Sequence, residues 1–195
     1  MNRVSCSILF LLVPVLLCSA QDTPFLIDFS GHPVNEGSIV YTGAPSANLS
    51  PMYSSFGSCP TDNAFVGATD GRGFVLEGNS GSGLIAYTKT LSFQSGVVAA
   101  RISVRASAPG CTVYLAVLDL NHPDSMTYSS MDSGRFVDKW GRMSVLYQPP
   151  AGNLMVAMQA VNSGNQRVKV YLDNLEVIPL SADTAMENLG EIAGI

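Results

Sequence analysis

The sequence predicts an all-β protein built as an antiparallel β-sandwich, and three observations carry this prediction. The 195-residue chain alternates short runs of Val, Ile, Tyr and Thr with clusters of Gly, Pro, Asn and Ser, which is the pattern of strands and turns. In residues 97–106, apolar side chains alternate with Arg101, Ser103 and Arg105, so one face packs on a core and the other meets water. Residues 112–120 are apolar on both faces, which predicts a central strand whose second face is also covered.

The predicted strands follow one another at a spacing typical of sandwiches and barrels. They are residues 25–29, 38–42, 64–68, 73–77, 84–91, 97–106, 112–120, 143–148, 154–161 and 167–178. The Gly- and Ser-rich residues 78–83 form a turn between two of these strands. Two longer stretches rich in Ser, 43–63 and 121–139, are predicted to be ordered loops.

Residues 1–20 have the composition of a secretory signal peptide. Arg3 precedes an apolar run at 8–17, and small residues end the segment at Ala20. The run is shorter than the roughly 20 apolar residues of a membrane span. Cys18 stands where bacterial lipoproteins carry their lipid, but the preceding position needs a small residue and holds Leu17. We therefore expect cleavage after Ala20 and a secreted or extracytoplasmic protein without lipid at Cys18.

The sequence changes character after residue 180. Thr184 and Glu187 have the spacing of a capping box, which predicts a short acidic helix within residues 181–195. Isolated helices of this length are marginal in water, so the segment either docks on the domain or frays as a tail. The expected organisation is a signal peptide at 1–20, one β-sandwich domain at 21–180 and this helix or tail at 181–195.

The charge of the chain argues against two classes of partner. The whole chain has a formal charge of −5, and removing residues 1–20, which hold Arg3 and no acidic residue, makes it −6. The remaining bases are spread singly along the sequence. Nucleic acids and anionic lipid surfaces attract clustered positive charge, so neither is an expected partner.

The search for catalytic residues gives a negative result. General acid–base catalysis recruits histidine or a carboxylate whose pKa is shifted by burial and a partner. His32 and His122 each lie beside a proline, and neither has a metal-ligand spacing to the other or to a cysteine. The aspartates lie mainly among Gly, Ser and Asn, and nothing in the sequence selects a pair for glycoside hydrolysis. The sequence therefore predicts a protein without an active site.

Two cysteines remain after the signal peptide, Cys59 and Cys111. A single distant pair in an exported domain usually forms a disulfide, so we expect Cys59 bonded to Cys111. The alternative is two independent thiols.

The second half of the chain resembles a known family. A tryptophan, Trp140, opens a late strand, a Pro-Gly turn follows at 149–152, and the last strand reads Tyr-Leu-Asp-Asn-Leu at 171–175. This order is similar to the galactose-binding-like jelly rolls found as carbohydrate-binding modules of secreted glycoside hydrolases. The resemblance covers residues 25–179 and implies a sandwich of jelly-roll type.

The resemblance also implies a structural calcium ion where the first and last strands meet. The matching oxygens would come from Asp28 and Asp173. Calcium takes six to eight hard oxygen ligands, so backbone carbonyls would have to supply several more. The alternative is that Asp173 bonds only to loop amides.

Carbohydrate is the ligand class that the resemblance implies. Sugar binding needs aromatic side chains against the apolar face of the ring, and the candidates are Trp140, Tyr128 and Phe136. Tyr41, Tyr53 and Tyr87 are further candidates, and Trp140 can equally be a packing residue at a strand start. The expected function is an exported, non-catalytic binding or adhesion module for carbohydrate. The alternative is a structural or protein-interaction sandwich, presented to an extracellular or cell-surface protein, with no sugar site.

Overall fold

The computed structural model describes residues 24–27, 29, 39–44, 46–62, 71–93, 97–122, 124, 126–148 and 152–180. The signal peptide at 1–20, the strand expected at 64–68, Asp28 and the helix expected within 181–195 lie outside these residues. Within the described ranges, no helix is long and apolar enough to cross a membrane.

The described chain is almost entirely β-strand. In chain order the strands are β1 (Phe25–Ile27), β2 (Ile39–Gly43), β3 (Ser50–Pro51), β4 (Tyr53–Ser58), β5 (Arg72–Gly78), β6 (Ser82–Thr88), β7 (Leu91–Phe93), β8 (Val97–Ala106), β9 (Cys111–Asp119), β10 (Met126–Asp132), β11 (Gly141–Tyr147), β12 (Gly152–Asn162) and β13 (Val168–Leu180). A single 3-10 turn at Ser133–Phe136 follows β10.

The strands form two sheets. Sheet A has the order β11-β8-β13-β5-β4, with β1 paired to β13, and sheet B has the order β10-β9-β12-β6-β2, with β3 on β6 and β7 on β12. The pairings are antiparallel except the short β3–β6 contact. The predicted all-β sandwich is confirmed, and the first and last described strands meet as a jelly roll requires.

The core lies between the two sheets and follows the period of two in the sequence. Along β8, the inward residues Val98, Ala100, Ile102 and Val104 are at most 1% exposed, while Arg101 and the other arginine of the strand are half-buried. Ser103, which the sequence predicts on the face that meets water, is fully buried, so that part of the prediction is wrong. Fully burying an aliphatic side chain of this kind contributes about 1.5–3 kcal/mol, so these alternating strands hold the sandwich together.

Three strands form where the sequence predicts loops, namely the two-residue β3, β4 and β10. β4 is one edge strand of sheet A, and β10 is one edge strand of sheet B. Their residues are exposed or half-buried, so neither strand shows the buried face that a period-two pattern reveals. Tyr53 on β4 and Tyr128 on β10 are 65% and 56% exposed. These edges therefore present aromatic rings to solvent.

The predicted disulfide is wrong. Neither cysteine is in a disulfide, and both are buried. Cys59 Sγ lies 3.3 Å from the point where a Cβ on Gly73 would stand, near the start of β5. Cys111 pairs with Asn162, whose Nδ2 donates to the carbonyl of Gly78 at the end of β5. These ends are separated by roughly 16 Å of extended strand, whereas a disulfide needs Cα atoms within about 7 Å.

Candidate ligand-binding groove

The outer face of sheet B has a row of four side chains, with a tyrosine at each end and two alanines between them. Tyr128 is paired with Ala116, Ala116 with Ala157, and Ala157 with Tyr87. Residues directly opposite each other on neighbouring strands point to the same face. The two alanines are short and only 6% and 4% exposed, whereas Tyr128 is 56% exposed and Tyr87 is half-buried, so the row is low in its middle and higher at its ends. We call this depression the sheet B groove.

The two tyrosines at the ends of the row are widely separated. Three strand spacings of about 4.8 Å separate the backbone of Tyr128 from that of Tyr87, which makes roughly 14 Å. The Tyr128 ring leans towards Tyr114 on β9, with centroids 6.3 Å apart and planes tilted by 53°. The aromatic side therefore has two rings, and Tyr114 extends it along the strand direction.

Neighbouring rows give the groove polar and apolar parts. On one side of the alanines, Tyr114 is paired with Gln159, and Gln159 with Ile85. On the other side, Leu118 is paired with Met126 and Met155. These side chains are half-buried, apart from the 52% exposed Met126. The second apolar face of β9, which the sequence predicts to be covered, is the half-buried surface of this groove.

The groove carries little charge. The described strands of sheet B contain no Lys, Arg or Glu, and their two acidic residues are Asp119, which is buried, and Asp132 at the end of β10. The strands of sheet A hold five basic residues, which are Arg72, Arg101, Arg105, Arg142 and Lys169. A surface without fixed cations offers nothing to offset the charge of a polyanion, so the groove suits a neutral ligand.

A buried carboxylate fixes the loop at one end of the groove. Asp119 Oδ1 accepts hydrogen bonds from the backbone N–H groups of Asn121 and His122, at 2.8 and 3.2 Å. Its Oδ2 lies 2.9 Å from His122 Nδ1 and accepts a 2.9 Å bond from the Tyr147 hydroxyl on sheet A. This network attaches the loop between β9 and β10 to the opposite sheet.

The same network shifts the pKa values of Asp119 and Tyr147. Burial alone would raise the pKa of Asp119, but hydrogen bonds from His122, Asn121 and Tyr147 outweigh it and lower that pKa from 3.8 to about 2. Burial and the neighbouring carboxylate raise the pKa of Tyr147. Asp119 is therefore ionised at neutral pH and stabilises the loop that leads to Tyr128.

The structure separates the three aromatic residues predicted from sequence. Tyr128 lies on the groove. Trp140 is 5% exposed, and its indole N–H donates a 2.8 Å bond to the carbonyl of Pro60. Phe136 is also 5% exposed and belongs to the core between the sheets, with its ring against Gly141. Trp140 and Phe136 therefore pack inside the protein, away from the groove.

The predicted metal position is described in part. Asp28 lies outside the described residues, but Ile27 directly before it pairs with Leu175 on the last strand. Asp173 is buried, and its Oδ1 accepts a 2.8 Å bond from the N–H of Asn174. Among the described residues, no three His, Cys, Asp or Glu side chains are grouped to hold a metal ion. A calcium site here would need oxygens from residues outside those ranges and from backbone carbonyls.

The fold is shared with solved structures of low sequence identity. One is a family 61 carbohydrate-binding module in complex with β-1,4-galactotriose, with 9% identity and a TM-score of 0.52 over 74% of this chain and 92% of that one. Another is an exo-β-agarase, with 12% identity and a TM-score of 0.54 over 79% of this chain and 25% of that one. No protein-family model and no curated protein sequence matches the chain. The fold is therefore a β-sandwich of jelly-roll type that these structures share, as the sequence predicts.

Proposed function

We propose that the protein is a non-catalytic module that binds a neutral carbohydrate chain in the sheet B groove. The observation that carries the proposal is the row in which Tyr128 and Tyr87 flank Ala116 and Ala157. The apolar C–H face of a sugar ring stacks on an aromatic ring, and a floor of alanines lets the chain approach the sheet closely.

The other side chains of the groove support the same ligand class. The amide of Gln159 can both donate to and accept from sugar hydroxyls, whereas an aliphatic groove would suit a lipid or an apolar peptide. The near absence of charge on the described strands of sheet B favours an uncharged glycan over uronate or sulfated chains. A neutral polysaccharide is the ligand class that fits all of these features.

The proposal is tested by affinity electrophoresis through gels that contain neutral polysaccharides. The gels contain β-1,4-galactan, agarose, xylan, laminarin or mannan, the first two because one similar structure is a complex with β-1,4-galactotriose and another is part of an exo-β-agarase. We expect at least one polysaccharide to retard the wild-type protein and the Tyr128→Ala/Tyr87→Ala double variant to migrate freely. Leu26→Ala is the control, since Leu26 is 53% exposed, close to the 56% of Tyr128, but lies on sheet A and outside both candidate sites.

Two outcomes would contradict the proposal. One is that none of these gels retards the wild-type protein. The other is that the double variant is retarded as strongly as the wild type while it keeps the wild-type melting temperature. Either result would leave a structural or protein-interaction sandwich as the better account.

The non-catalytic part of the proposal rests on the distribution of carboxylates. Glycosidases place two carboxyl groups about 5–9 Å apart across the sugar, whereas the described strands along the groove offer Asp132 alone on the outer face. Asp119 uses its oxygens to bind loop amides, His122 and Tyr147. We expect no release of reducing ends from a polysaccharide that the protein binds. Release that Asp132→Asn abolishes would identify a hydrolase.

The proposal also includes export of the protein and one bound calcium ion. We expect the exported protein to begin at Gln21, which sequencing of its amino terminus checks. We also propose one calcium ion beside Asp173, since this buried carboxylate lies near the pairing of β1 with β13. Calcium at about 1 mM should then raise the melting temperature of chelator-treated protein, because the ion binds the folded state selectively. No rise, or an equal rise in Asp173→Asn, would remove the site.

A further inference from the structure

A second concave surface lies where β5 ends and the chain crosses to β6. It is a cleft of about 410 Å³, and its lining includes Tyr53, Glu77, Asn79, Ser80 and Arg167. This volume is near the lower end of ligand pockets, which span about 300–1,000 Å³. Ser50, Pro51 and Ser82 of sheet B also line the cleft, but none of its lining residues belongs to the sheet B groove, so the two surfaces are separate. We propose that this cleft is a second binding site, for one neutral pyranose ring such as the end of a glycan chain.

The walls of the cleft are fixed before any ligand arrives. Asn162, which is fully buried, donates from Nδ2 to the carbonyls of Gly78 and Gln166, at 3.0 and 2.8 Å. The backbone carbonyl of Asn162 accepts a 2.9 Å bond from the N–H of Gly81. Through its side-chain amide and its backbone carbonyl together, Asn162 therefore attaches the end of β5, the β5–β6 turn and the loop that carries Arg167. A pre-formed site loses less conformational entropy when it binds.

A positioned carboxylate faces the cleft. Glu77 Oε1 lies 2.7 Å from Arg167 Nε, and Oε2 lies 3.6 Å from Lys169 Nζ. The Glu77 side chain is 17% exposed, and that of Arg167 is 64% exposed. A carboxylate can accept about four hydrogen bonds and a guanidinium can donate five, so this ion pair has capacity for a ligand. Adjacent acceptors and donors are what the vicinal hydroxyls of a sugar require.

An exposed aromatic ring completes the cleft. Tyr53 is paired directly with Glu77 across β4 and β5, so its ring stands beside the carboxylate. It is the most exposed large hydrophobic side chain of the described residues, at 65%. The ring offers a stacking surface for the C–H face of a pyranose whose hydroxyls reach Glu77 and Arg167.

The lining of the cleft holds one cation and one carboxylate, Arg167 and Glu77, since Lys169 contacts Glu77 from outside the lining, and this balance favours a neutral sugar. A uronate or a sulfate group that approached Arg167 would also approach the Glu77 carboxylate, 2.7 Å from the guanidinium. That repulsion offsets the attraction of the cation, whereas a hydroxyl can donate to Glu77 and accept from Arg167. The inference does not depend on the sheet B groove, since none of these residues lies on that groove.

The test is nuclear magnetic resonance titration of isotope-labelled protein with single sugars. The ligands are D-galactose, D-glucose, D-mannose and D-xylose, with D-galacturonate as the charged comparison, each to roughly 50 mM, since one-ring sites bind at about 1 mM or weaker. We expect at least one neutral sugar to shift the amides of residues 79–82 in a saturable way. Tyr53→Ala should weaken this binding about tenfold, and Tyr53→Phe, which keeps the ring, should bind within about twofold of wild type.

The groove variant separates this inference from the proposed function. The shifts at residues 79–82 should persist in Tyr128→Ala, whatever that variant does to polysaccharide binding. The inference is overturned if none of the four neutral sugars shifts those amides. It is overturned equally if Tyr53→Ala leaves the titration unchanged, or if galacturonate binds more tightly than the neutral sugars.

Discussion

Replacing Tyr128 with alanine tests the groove through one side chain whose contribution can be calculated. A tyrosine presents roughly 200 Å² when fully exposed, and Tyr128 retains 56% of its exposure in the folded protein. A sugar ring stacked on one face would cover about half of that, or roughly 55 Å². At about 25 cal/mol per Å², this is about 1.4 kcal/mol of binding free energy, a tenfold change in affinity.

The assay is isothermal titration calorimetry with oligosaccharides of whichever polysaccharide the wild-type protein binds. Tyr128→Phe is the control, because it keeps the ring and loses only the hydroxyl, and it should bind within about twofold of wild type. The melting temperature of Tyr128→Ala should stay near that of wild type, since β10 is an edge strand and the side chain is exposed. Unchanged affinity in Tyr128→Ala would refute the stacking argument. An equal loss in Tyr128→Phe would assign the contact to the hydroxyl.

Three further predictions concern the fold. Gly81 and Gly110 both have positive φ, at 73° and 98°, but a Cβ on Gly81 meets nothing within 4 Å while one on Gly110 lies 2.9 Å from the facing backbone. Thermal unfolding should therefore show about 1 kcal/mol of destabilisation in Gly81→Ala and about 3 kcal/mol in Gly110→Ala. Equal losses of stability in the two variants would contradict a steric clash at Gly110. Because folding lowers the pKa of Asp119 from 3.8 to about 2, its contribution is complete above pH 3.8 and is lost as pH falls through about 2. Melting curves in acid should show this slope in the wild type and not in Asp119→Asn. Alkylation in denaturant without reductant should modify both Cys59 and Cys111. Recovery of a peptide in which the two are cross-linked would instead show that the disulfide exists.

The strands that sequence analysis predicts are those with a buried face. β8 and β12 are recognisable because apolar residues alternate or run together where the strand packs on the core. β4 and β10 are missed because they are edge strands rich in serine, and each has a single apolar residue packed against the core, Phe56 and Met131, which is too few for a period-two pattern. Edge strands expose their side chains, so the same property that hides them in the sequence places Tyr53 and Tyr128 at candidate binding surfaces.

The candidate sites depend on contacts between distant residues, and these limit prediction from sequence. Trp140 is buried because it bonds to Pro60, which lies 80 residues earlier. Cys59 lies beside Gly73 near the start of β5, whereas Cys111 pairs with Asn162, whose side chain bonds to Gly78 at the other end of that strand, so the two cysteines are far apart. The second face of β9, with Tyr114 and two further apolar residues, was visible in the sequence as apolar, but only the register with β10 and β12 shows that it borders a groove.

Binding of a neutral carbohydrate in the sheet B groove is tested most directly by mapping the surface that a neutral oligosaccharide touches. Labelled protein is titrated with oligosaccharides of the polysaccharide that retards it, and the perturbed amide resonances are assigned along the chain. We expect saturable changes in the amide resonances of Tyr114, Ala116, Ala157 and Gln159, on neighbouring strands of sheet B. Changes confined to the outer strands of sheet A, with the sheet B resonances unmoved while the sugar binds, would contradict it.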